Sequence, residues 1–199
     1  VLAETEIPSE LATKIGGSYE DQQDMFGDLI MLLIMIIILV YIVMASQFES
    51  FMSPFVIMFS IPFAFVGVLL GLWVTGTPLG AMGMIGILIL MGIVVKNGIV
   101  LIDYTILMRE RGKSVAEASV IAAKSRLRPI LMTTLTTVLG MVPMAVGQGE
   151  GSEMWRSLGM VVAWGLSIST LVTLVIIPTV YASMASWQER RAARKAAKA

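Results

Sequence analysis

Lys96 is the only ionisable side chain between Ala81 and Ile102, in a stretch otherwise built from Ala, Gly, Met, Ile, Leu, Val and one Asn. A helix rises about 1.5 Å per residue, so about twenty such residues cross roughly 30 Å of hydrocarbon, and Lys96 falls well inside it. An ammonium at that depth costs about 2.5 to 3.5 kcal/mol on insertion scales, so it needs a partner and a task. Asp103 follows seven residues later on the same helical face. That separation is about 10 Å along the axis, too far for direct contact. The next polar cluster is LMTTLTTV, with Thr133, Thr134, Thr136 and Thr137. If this segment runs antiparallel to the Lys96 segment with Asp103 and Arg126 at one level, seven residues along each helix bring Lys96 level with Thr133. Thr133 and Thr137 share a face. Hydroxyls both donate and accept, so a lysine and threonines at one depth form a candidate proton relay. For any one threonine the plainer role, bonding its own i−4 carbonyl or joining two helices, stands beside that reading. For Lys96 the plainer roles are a structural ion pair or snorkelling, and its mid-span position argues against snorkelling. Asn97 faces another way and suits a helix–helix hydrogen bond, while Asp103 and Arg126 form either a boundary pair or two separately solvated charges.

The elements that must position these groups are spans of a membrane. The chain has 199 residues, 57% hydrophobic and 14% charged, which places it in the polytopic membrane class. We expect five transmembrane helices at about 29–46, 54–75, 81–109, 128–147 and 154–186, within a membrane region of 29–187. Residues 1–28 read as the end of an aqueous domain and 188–199 as a basic tail. Ser114 stands three residues before Glu117, a capping-box pattern, so a short amphipathic helix over 114–126 is expected to lie along the interface. Pro62 should bend the second span, and Gly67 and Gly71 offer a small-xxx-small face to another helix. Gly140 and Pro143 should break the fourth span near its end. The fold class is therefore all-α integral membrane. Val1 is not an initiator and no signal peptide precedes it, so the chain is expected to be cut from a longer polypeptide.

Formal charge is zero, but the signs are segregated: seven of fourteen acidic residues lie at or before Asp28. Eleven basic residues fall between Arg109 and Arg128 or after Trp187, against two, Lys14 and Arg156, on the opposite set of connections. The positive-inside rule then places the 110–128 connection and the C-terminus in the cytoplasm, and the N-terminal segment with Glu150 and Glu153 outside. The same basic cluster could bind anionic lipid, although topology alone explains it. With no Cys and no His, disulfides, thiolate metal sites and the commonest metal ligand are excluded. No nucleotide loop or nucleophile–base constellation is present, so neither an enzyme, a cofactor, a bound metal nor a nucleic-acid partner is expected.

At MGIVVKNGIVLIDY and SRLRPILMTTLTTVLGMVPMA the sequence resembles inner-membrane transporters of the resistance-nodulation-division superfamily, hydrophobe/amphiphile efflux branch. The likeness extends through FESFMSPFVIMFSIPFAFVGVLLGL and GSEMWRSLGMVVAWGLSISTLVTLVIIPTVY, so Asp28 to Tyr181 corresponds to the last five of the family's twelve spans, its eighth to twelfth. The resemblance implies half of such a transmembrane domain in the bacterial inner membrane, with a periplasmic N-terminal segment. It implies proton-driven export of drugs or amphiphiles, the proton gradient being the energy source. It makes Lys96 the lysine that faces two aspartates of the missing N-terminal half, with Thr133 and Arg126 assisting. Asn97, Asp103 and Thr137 are supporting candidates from the residues themselves. The implied partners are the N-terminal half of the same pump, a homotrimer of the whole protein, a periplasmic adaptor and an outer-membrane channel. The alternative is a free-standing five-span scaffold or regulatory subunit without transport activity.

Overall fold

The computed structural model describes residues 18–147, 149 and 151–196, and the side chains of 23–147, 149 and 151–187. Residues 1–17 of the expected 1–28 aqueous lead-in, Gln148, Glu150 and the side chains of the basic tail lie outside the described residues. Six helices follow one another: α1 (Ser18–Phe48), α2 (Met52–Met58), α3 (Ser60–Thr75), α4 (Ala81–Glu110), α5 (Val115–Val146) and α6 (Ser152–Ala196). There is no strand among the described residues. Five stretches are long and apolar enough to cross a membrane, with α2 and α3 together making the second. The expected all-α, five-span fold is what the chain adopts.

The helix ends follow local chemistry. At the end of α4, Gly112 takes φ 81°, its N–H donates to the Arg109 carbonyl at 2.9 Å, and Lys113 N–H donates to the Met108 carbonyl at 3.2 Å. This is a Schellman closure, which a residue with a Cβ would strain. Two residues later Ser114 caps α5, its hydroxyl accepting from Glu117 N–H at 3.3 Å, as the capping-box spacing predicts. The 81–109 boundaries expected for the third span differ from the observed α4 by one residue at its end.

Three differences from the sequence reading have physical causes. The amphipathic stretch 114–126 is not a separate element, because α5 runs unbroken from Val115 to Val146 with Pro129 and Pro143 inside it. A proline removes one N–H donor and crowds one carbonyl, which weakens a helix locally without ending it when neighbours hold both sides. In the second span the interruption comes at Phe59, three residues before Pro62, not at Pro62 itself. Pro62 sits in the first turn of α3, where no N–H is needed, and its ring crowds the carbonyl four residues back, at Met58, where α2 ends. Lastly, α1 and α6 extend past the expected spans as helix, since hydropathy marks the apolar portion and not where the backbone helix stops.

α6 is the centre of the bundle, packing against α3, α4 and α5, while α1 touches α2 and α4 at the margin. Only 11% of the apolar window of the first span is buried, against 50% for the third and fifth. Between helices in lipid there is little hydrophobic drive, so close van der Waals fit must hold them. Glycines supply it. A Cβ at Gly67 of α3 would lie 3.0 Å from the Ile168 Cβ and 3.1 Å from the Gly165 Cα of α6, and one at Gly71 would collide with Trp164. The small-xxx-small face of α3 thus meets α6. Gly83 and Gly86 of α4 likewise abut Ser157, Leu158 and Val161 of α6, and Gly98 abuts Ile57 and Ile177. Gly92 faces no neighbour, and Gly80 serves as the N-cap of α4.

Candidate functional site

α4 shows two faces. Leu90, Met91, Val94, Val95, Leu101 and Ile102 are buried in the core, whereas Lys96 is exposed. Lys96 opens onto a cleft of about 400 Å³ between α4 and α5, lined by Ile93, Lys96, Asn97 and Val100 on one side and Pro129, Ile130, Thr133 and Thr137 on the other. The depth arithmetic therefore holds: Lys96 and Thr133 share one cleft, with Asn97 and Thr137 beside them. No hydrogen bond or ion pair is made to the Lys96 ammonium among the described residues.

The threonines divide by role. Thr133 donates to the carbonyls of Pro129 at 3.2 Å and Ile130 at 3.0 Å, Thr136 to that of Met132 at 2.8 Å, and Thr137 to that of Thr133 at 2.9 Å. These are the local back-bonds that threonine makes in a helix. With its one proton spent, the Thr133 hydroxyl keeps its lone pairs for an incoming donor such as an ammonium. Thr134 turns the other way, is buried, and shares a hydrogen bond with Thr170 of α6 at 3.1 Å.

Arg126 and Asp103 are not paired. Asp103 is exposed, and Arg126 instead lays its guanidinium over the Tyr104 ring, with Cζ 4.7 Å from the centroid. Successive helical residues point about 100° apart, so Asp103 and Tyr104 share a depth and not a direction. Neither Arg126 nor Asp103 lines the cleft, so the structure joins Lys96, Thr133, Asn97 and Thr137 and leaves those two outside it. Sequence reasoning missed Tyr104 and the Thr134–Thr170 bond. The signal for Tyr104 was present: Ile93, Asn97, Val100 and Tyr104 recur at helical spacing on the face of α4 that meets α5.

Residues 1–185 match the model of the AcrB/AcrD/AcrF family. The chain belongs to that family. Its members are the resistance-nodulation-division transporters of the resemblance above, so this is a multi-pass membrane protein of the AcrB/AcrD/AcrF family. It is 40% identical over 185 residues to the swarming motility protein SwrC of Bacillus subtilis, a match covering 92% of this chain and 18% of that protein. Two crystal forms of a heavy metal efflux pump are similar in structure. One has a TM-score of 0.77 at 33% identity and covers 86% of this chain, and the other has a TM-score of 0.73 at 33% identity and covers 83%. In both cases the match covers 17% of the pump. The chain thus spans less than a fifth of the length of the relatives it matches.

Proposed function

We propose that this AcrB/AcrD/AcrF-family chain is the C-terminal transmembrane portion of a proton-driven efflux transporter, a proton/drug antiporter of the bacterial inner membrane. The observation that carries this reading is the exposed Lys96 in a cleft that contains an accepting threonine and no carboxylate. A charge held at membrane depth with its counter-ion missing is the complement of an acidic partner on another segment. The N-terminal half of the same pump supplies that partner. Carboxylates there pair with Lys96 when ionised. Protonation releases the ammonium, Thr133 accepts a hydrogen bond from it, and the two arrangements bias α4 and α5 toward different positions.

The remaining features fit the same machine. The basic connection between α4 and α5 and the C-terminal tail face the cytoplasm, and the N-terminal segment faces the periplasm. The whole protein works as a homotrimer with a periplasmic adaptor and an outer-membrane channel. Cargo is chosen in domains outside these residues, which allows a family member to export heavy metal with the same membrane fold. The test is Lys96→Ala in the intact pump. Export under an imposed proton gradient falls to background while the assembled protein is recovered in normal amount. Normal export by that variant would end the proposal.

A further inference from the structure

Below the cleft, toward the α4–α5 turn, the two facing helix surfaces continue. On α4 the residues Asn97, Val100 and Tyr104 descend one face, and on α5 Thr133, Ile130 and Arg126 descend the opposing face, at spacings of three and four. The rung below Val100 and Ile130 is the Tyr104–Arg126 stack, at the end nearest the α4–α5 turn. Arg126 is only partly exposed, and its Nε is buried with no hydrogen-bond partner among the described residues. A guanidinium in that condition normally recruits a carboxylate, since an unpaired buried N–H is expensive. Asp103, next to Tyr104 in sequence, is exposed and is not paired with Arg126. The face of an aromatic ring is the other group that holds a cation, more strongly as the site dries.

We propose that Tyr104 is a positioning residue, its ring parking the Arg126 cation one rung below the Lys96 cleft so that Arg126 stays on the α4–α5 face that carries the relay. The inference rests on the relay reading above for its functional consequence, but the parking itself stands on geometry alone. The ring face does the holding and the phenol oxygen does not. This separates the proposal from a hydrogen-bonding or merely space-filling tyrosine.

The test uses the full pump in membrane vesicles with three variants. Arg126 is labelled with an arginine-selective dicarbonyl reagent and read by peptide mass spectrometry. Tyr104→Leu makes Arg126 react about two- to fivefold faster, the factor that a partly exposed cation–π contact represents. Tyr104→Phe leaves the rate as in the parent, and Tyr104→Trp lowers it. Proton-driven export follows the same order, with Phe rescuing what Leu loses. Equal labelling in the Leu variant and the parent overturns the proposal, as does a Phe variant that labels like Leu. Labelling that rises in the Leu variant with export unchanged overturns the link between the stack and the relay. Because labelling needs no proton coupling, its outcome is independent of the Lys96→Ala result, and the two ideas fail separately.

Discussion

The two sides of α4 are built on opposite principles. Toward α3 and α6 it is dry and glycine-spaced, with Leu90, Val94, Leu101 and Ile102 at 1% exposure or less. Toward α5 it leaves a cleft of about 400 Å³ holding an ammonium, an amide and two hydroxyls. One side is fixed by close backbone approach at its glycines, and the other leaves a cleft around an ammonium that has no hydrogen-bond or ion-pair partner among the described residues. In the proposed relay, a rigid seam behind an open site would let the loss of one ion pair shift helices instead of being absorbed by loose packing.

The comparison can be broken at several points. The largest effect is expected at Lys96. Lys96→Ala abolishes proton-driven export with the seam intact, whereas Lys96→Ala that lowers the amount of folded protein would mean the cleft also holds the bundle together. Next comes the seam. Gly71→Ala drives a Cβ into Trp164 and should destabilise by about 1 to 3 kcal/mol, measured as detergent-solubilised melting, while Gly92→Ala, open on its side, stabilises or leaves stability within about 1 kcal/mol. If both alanines behave alike, glycine spacing is not what holds α3, α4 and α6 together. Thr133→Val removes the accepting oxygen and should impair export with little loss of stability. Thr134→Val, one residue away, should do the reverse at about 0.6 kcal/mol, the usual worth of an interhelical hydrogen bond in a membrane. Effects in the opposite order would invert the assignment of the two faces of α5.

Much of this was legible in the sequence because helices convert counting into depth. The number of spans, the cap at Ser114 and the level shared by Lys96 and Thr133 all follow from rise per residue and from which residues tolerate which backbone. Direction around the axis did not follow. A level assumed common to Asp103 and Arg126 left open whether they pair, and a rotation of one residue gives the place beside Arg126 to Tyr104. Pro129 and Phe59 show the same limit for the backbone. Whether a proline ends a helix, weakens it or shifts the interruption toward the residue its ring crowds depends on what packs around it.

Thr133 and Thr134 are neighbours in the chain that serve different masters, one addressing the open site and the other clasping α6. Any rotation of α5 about its axis would therefore pull on that clasp. Under the proposed relay, a turn of α5 begun at the cleft would reach α6 as torque, and α6 begins at Ser152, at the opposite end of α5 from the basic turn. On that proposal the signal would travel as rotation of packed helices.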